Sequence, residues 1–141
     1  MLPKPTSTMP LELSKASEGD LPRIIHVQFT AFADDAMNRI IFPTPLPAST
    51  LEKAVDHARE DMRNPDVTFM KVTDTDSGEV IAFGKWIIYK HERPEEEWKK
   101  EAKRDWGEGT NVEAADAFLG AFNEKRRKIM TGKAHCCRWQ L

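Results

Sequence analysis

The stretch Glu79–Lys90 constrains the fold more than any other part of the chain. Val80, Ala82, Gly84, Trp86 and Ile88 fall on one alternating set, and Ile81, Phe83, Ile87 and Tyr89 on the other, interrupted by Lys85. Apolar residues on both sets predict a strand covered on both faces, and therefore central in a sheet. At about 3.3 Å per residue it reaches roughly 40 Å, long for a strand. Gly84 in its middle suggests a bulge, or a place where a second backbone or a ligand comes close. Two roles fit such a stretch: a packed core strand with a bend, or a strand lining a substrate cleft.

The residues before it set the order of elements. Residues 1–10 are rich in Pro, Ser and Thr and read as a disordered N-terminus. Leu11–Ser14 alternates and reads as a short first strand. Asp20 offers an N-cap and Pro22 suits a first helical turn. Leu21, Ile24, Ile25, Phe29 and Phe32 then follow at helical spacing, so a helix runs to about Ala33. Phe42–Pro47 is a proline-broken loop. Ser49 and Glu52 form a capping box for a second helix with the stripe Leu51, Ala54, Val55, Ala58 and Met62, ended by Asn64-Pro65. Val67–Thr73 is a strand, and Asp74–Gly78 is a tight turn that returns the chain antiparallel. The order is β-α-α-β-β.

A helical insert over 93–132 follows. Pro94 starts a helix with Glu95, Glu96 and Glu97 first and Lys99, Lys100, Lys103 and Arg104 later, an order that suits the helix dipole. Its apolar residues are only Trp98, Ala102 and Trp106. Gly107 and Gly109 break it. Thr110 and Glu113 read as a second capping box, before a stripe of Ala115, Phe118, Leu119, Phe122, Ile129 and Met130 that Gly132 stops. His135 opens an extended segment.

Composition excludes several classes. The 141 residues suffice for one ordinary domain, read here as 11–141. A net charge of −2 gives no electrostatic case for nucleic acid or an anionic membrane as partner. The basic run Lys125–Lys128 closes a helix, where cations are favoured. Cys136 and Cys137 are adjacent and have no other cysteine to pair with, so there is no disulfide framework and only a poor zinc site. His57 and Glu60 share a helix face without a visible third ligand, so no metal is expected. No apolar run approaches a membrane span and no apolar leader is visible, which predicts a cytoplasmic protein.

Several words follow in order: Asp20-Leu21-Pro22-Arg23-Ile24-Ile25, then Phe29-Thr30-Ala31-Phe32-Ala33-Asp34-Asp35, then Ile81-Ala82-Phe83-Gly84-Lys85-Trp86, and the insert from Arg93 to Met130. Together they resemble the GCN5-related N-acetyltransferase (GNAT) family, in a fungal branch. The resemblance covers about residues 11–135. It implies an α/β (α+β) fold and acetyl-CoA as co-substrate. It also implies direct transfer of the acetyl group to a small-molecule or peptide amine, with a carboxylate or an ordered water taking the proton. In that family a fourth strand exposes its backbone to the pantetheine arm. A Q/R-x-x-G-x-G/A loop then holds the pyrophosphate at a helix N-terminus.

Here Cys136–Leu141 lacks the expected Leu/Val run. The chain therefore reads as the N-terminal part of the fold, with an incomplete sheet, truncated before the acetyl-CoA motif. Arg104-Asp105-Trp106-Gly107-Glu108-Gly109 does fit Q/R-x-x-G-x-G, but such a pattern occurs by chance in roughly one chain in seven of this length. A charged helix precedes it and acids flank it, so it reads as a turn between helices. No catalytic or cofactor-binding residue is assigned. Phe32, Asp35, Trp86 and Tyr89 are candidates for the acceptor pocket, with core packing or a solvated turn as their plainer roles. The alternative to an acetyltransferase is a non-catalytic remnant, or an interaction module built on the insert and lacking the CoA site.

Overall fold

β-forming residues in two long runs, joined by a five-residue polar turn, give the hairpin at the centre of the fold. The structure, a computed structural model, describes residues 10–99 and 104–139. The expected disorder of 1–10 lies, except for Pro10, outside them, as do Ala102 and the basic Lys100 and Lys103. Strands β1 (Leu11–Lys15), β2 (Val67–Asp74), β3 (Val80–Tyr89) and β4 (His135–Trp139) form one sheet in the order β1-β2-β3-β4. Every neighbouring pair is antiparallel. The fold class is mixed α/β.

Between β1 and β2 come a 3-10 turn (Glu18–Asp20) and helices α1 (Leu21–Ala31), α2 (Ala36–Ile41) and α3 (Ala48–Arg63). Helices α4 (Glu95–Lys99) and α5 (Val112–Met130) lie between β3 and β4. None of the described helices is long and apolar enough to cross a membrane.

The core is the seam between α1, α3 and one face of the sheet. Leu21, Ile24 and Ile25 of α1 meet Ala58 of α3, Phe69 of β2 and Val80 of β3. Phe29, Val55, Met62 and Phe83 pack around them. Asp20 does not cap α1 through its side chain. Its carboxylate reaches back to the Ser17 backbone N–H (2.8 Å) and takes Lys71 Nζ at 2.8 Å, joining the helix layer to β2. The bulge expected at Gly84 sits elsewhere: Val72 faces Ala82 but Thr73 faces Val80, so Ile81 is the extra residue. Arg23 Nε donates to the Val80 carbonyl beside it (3.0 Å), which ties α1 to the distorted end of β3.

Three expectations need correction. First, β3 is central, between β2 and β4, but α1 and α3 cover only one of its faces. Trp86 and Ile88 stand 39% and 42% exposed on the other, with Leu11 and Leu13 on the same side by register. Apolar alternation reports what can be buried, not what is. Second, the segment from His135, which lacks the expected Leu/Val run, still forms a sheet strand: β4 pairs β3 over Lys85–Tyr89. Backbone pairing does not require the Leu/Val run that the sequence lacks. Third, α2 occupies residues between the first helix and the Phe42–Pro47 loop to which the sequence pattern assigns no element. It is short, and its start signal is the Asp35 side chain, which accepts from the Asn38 N–H at 3.1 Å.

Candidate functional site

The helical layer does not close completely on the sheet. A cavity of about 290 Å³ lies between them, and every described helix except α4 contributes to its wall. Its floor is Phe69 of β2 with Phe83 and Lys85 of β3. These share a face because Phe69 is the register partner of Lys85, and Phe83 is two residues away. Gln28 and Phe29 come from the C-terminal half of α1, and Phe32 is the residue that ends it. The α1–α2 turn and α2 add Asp35, Met37 and Asn38, and Phe42 follows. Phe29 and Phe42 meet edge to face, with ring centroids 5.2 Å apart, and hold α2 against α1. Helix α3 contributes His57 and Asp61, the segment before α5 contributes Arg104 and Trp106, and α5 contributes Phe118.

Lys85 is the charged residue buried in this floor; its side chain is 8% exposed and is ion-paired with Asp61. Its ammonium also lies 5.6 Å from the Phe69 ring centroid. Burial pushes the Lys85 pKa below its ordinary value; the Asp61 carboxylate pulls the other way, and the nearby Arg104 charge adds to the lowering. In the sequence the signal was visible as the one charge interrupting an apolar strand face. Its partner, on a helix 24 residues earlier, had no local signature.

Of the four pocket candidates, the structure brings two together. Phe32 and Asp35 line the cavity. Trp86 points to the uncovered face, as its register opposite Thr68 requires. Tyr89 ends β3, where its ring lies 4.8 Å from that of His135 and under the Arg93 guanidinium at 4.6 Å. Asp34, beside Asp35, pairs with Arg39 at 2.8 Å. Among the titratable wall residues, Lys85, Asp61, His57, Arg104 and Asp105 had no assignment in the sequence. Among the described residues no group of three metal-binding side chains comes together.

The segment Arg104–Gly109 is a turn leading into α5, and its geometry does not fit the pyrophosphate of acetyl-CoA. Gly107 and Gly109 have φ of 82° and 81°, so the backbone requires glycine there. A Cβ on Gly107 would lie 3.0 Å from Thr50 Oγ1, so this glycine lets the loop lie on α3, not on a ligand. The Gly107 N–H donates to Asp105 Oδ1 (3.1 Å), and the Glu108 carbonyl accepts from Thr50 Oγ1 (2.6 Å). Asn111, not Thr110, caps α5: its side chain accepts from the Ala114 N–H at 3.2 Å. Asp105 is held ionised, its pKa lowered first by Lys53 at 2.7 Å and then by the Gly107 N–H. Donors already engaged and carboxylates beside them are the reverse of a phosphate cradle.

No protein-family model matches the chain, and no curated protein matches it in sequence. Among solved structures it is similar to one described as histone acetyltransferase HPA2 and related acetyltransferase, from Corynebacterium glutamicum. The identity is 18% over 84% of this chain and 72% of that one, with a TM-score of 0.42. At that score the likeness decides neither family nor activity.

Proposed function

We propose that the chain belongs to an N-acetyltransferase of the GNAT type, which moves an acetyl group from acetyl-CoA to an amine. In this reading residues 11–141 belong to a single cytoplasmic domain, 93–132 are its helical insert, and the cavity is the acceptor side. The observation that carries the reading is the order of elements. A strand, helices packed on one sheet face, an antiparallel hairpin, an insert and a further antiparallel strand follow in the sequence that the resemblance implies. The described residues contribute a mostly apolar cavity whose wall includes carboxylates, of a size to hold a small amine. The Arg104–Gly109 turn, with its Gly107 N–H engaged by the Asp105 carboxylate, does not cradle a pyrophosphate.

That last observation favours a second reading, a domain that binds an amine without acetylating it. An interaction module built on the insert has less support: Trp106, one of its two tryptophans, faces inward, its Nε1 donating to Asp116 Oδ1 at 2.9 Å. Release of CoA thiol from acetyl-CoA, measured with a panel of small monoamines, a polyamine and a lysine peptide, separates the two. Amine-dependent, saturable release is the result expected of an acetyltransferase. Saturable amine binding with no release above background overturns it in favour of the binding domain.

A further inference from the structure

The cavity has a composition that points to its occupant. Six of the seven phenylalanines of the chain line it, together with Trp106. Its volume, about 290 Å³, is at the lower end for a small-molecule site. A peptide segment would leave most of its length outside, and a long polyamine would leave most of the rings without apolar contact. The charges in the wall are unequal in their freedom. Asp61 is engaged by Lys85, and Asp105 by Lys53. Asp35 has no ion-pair partner among the described residues, and its hydrogen bond to the Asn38 N–H engages one oxygen.

We infer that this cavity takes a small monoamine with an aromatic or bulky apolar body, its ammonium at Asp35 and its body among the phenylalanine rings. The inference rests on the acceptor-side reading above and names the acceptor class. A carboxylate and ring faces both attract an ammonium, and the protein already shows the second contact where Lys85 lies over Phe69. An apolar body gains from burial against the aromatic wall what a hydrated polyamine would not.

The test is calorimetric titration of the 141-residue protein with 2-phenylethylamine, with 3-phenylpropionate as a ligand of similar shape and opposite charge, and with spermidine. The amine is expected to bind at least about tenfold more tightly than either of the others, a difference of about 1.4 kcal/mol. Asp35→Asn is expected to remove about that tenfold, because asparagine keeps the cap on α2 but not the charge. Asp34→Asn, next to it but paired with Arg39 and outside the cavity wall, is expected to change binding less than twofold, on the order of the error in such a measurement.

Equal or tighter binding of 3-phenylpropionate would move the anchor to Lys85 and Arg104 and overturn the inference. So would preference for spermidine, or an Asp35→Asn protein that binds the amine unchanged. Binding of 2-phenylethylamine through Asp35 with no acetyl transfer supports the inference and removes the enzymatic reading. Acetyl transfer to spermidine in preference to 2-phenylethylamine does the reverse.

Discussion

A lysine ammonium is buried in the aromatic floor of the cavity, and the Asp61 carboxylate is ion-paired with it. Asp61→Asn leaves Lys85 charged and buried, and is expected to cost about 3 kcal/mol. That is the low end for a broken buried pair, because Asp61 itself is partly exposed. Lys85→Met fills a similar volume without a charge, frees Asp61 toward water, and should stay within about 1 kcal/mol of the parent. Urea denaturation of the two variants checks the asymmetry. The pH dependence follows from the lowered pKa. Between that lowered value and 10.5 the folded protein binds fewer protons at Lys85 than the unfolded chain does. The stability attributable to Lys85 therefore rises with pH through that window, as the cost of the buried charge is relieved. The parent should gain on Lys85→Met as pH climbs toward 10.5; a parent that loses ground there contradicts the direction. At this scale the sequence showed that Lys85 was out of place but not why it is tolerated. Its partner comes from helix packing, which leaves no periodic trace.

The elements separate what local pattern specifies from what tertiary pairing adds. Both long strands, α1, α3 and α5 follow from periodicity and lie close to where the sequence places them. The helix starts follow less well, because several capping side chains compete within a few residues. The backbone chose Pro47 as N-cap of α3, which leaves Ser49 inside the first turn, and Asn111 as N-cap of α5. Asn111→Ala is accordingly expected to lower stability by about 1 kcal/mol, and Ser49→Ala by less than about 0.5 kcal/mol. Equal effects in thermal unfolding would mean that the caps are misplaced. Strand β4 was the least legible element, because His-Cys-Cys-Arg-Trp has no strong pattern and its place is set by the edge it meets. The Ile88 N–H bonds to the Asp66 carbonyl on the β2 side at 2.8 Å. By alternation, the N–H groups of Lys85, Ile87 and Tyr89 then face β4. Cys137 is the register partner of Ile87. Cys137→Pro should speed hydrogen exchange at Ile87 and its β4-facing neighbours while leaving Trp86 and Ile88 protected. Uniform protection after that change would show that β4 does not pair where it is placed.

Among the described residues the sheet has two unlike faces: α1, α3 and the cavity lie on one, and Leu11, Leu13, Trp86 and Ile88 stand exposed on the other. Leu13, the most exposed of these at 68%, lies on a sheet edge, and Trp86 and Ile88 extend the same face across to β3. Such a face promotes self-association. Sedimentation of the protein should show mass rising with concentration, and the double change Leu13→Lys, Ile88→Lys should restore a monomer without lowering the unfolding temperature. A parent that stays monomeric at all concentrations would show that the face is not sticky. The division into two unlike faces was only half visible in the sequence, because an alternating apolar strand reads the same whether its second face is covered or bare. It is also the central claim, since it assigns ligand binding to the helical side. The most direct measurement is an amide chemical-shift map of the protein titrated with 2-phenylethylamine. The account predicts saturable shifts at Gln28, Asn38, His57 and Phe118, with Leu13, Val72, Trp86 and Ile88 unmoved; shifts confined to the second set would contradict it.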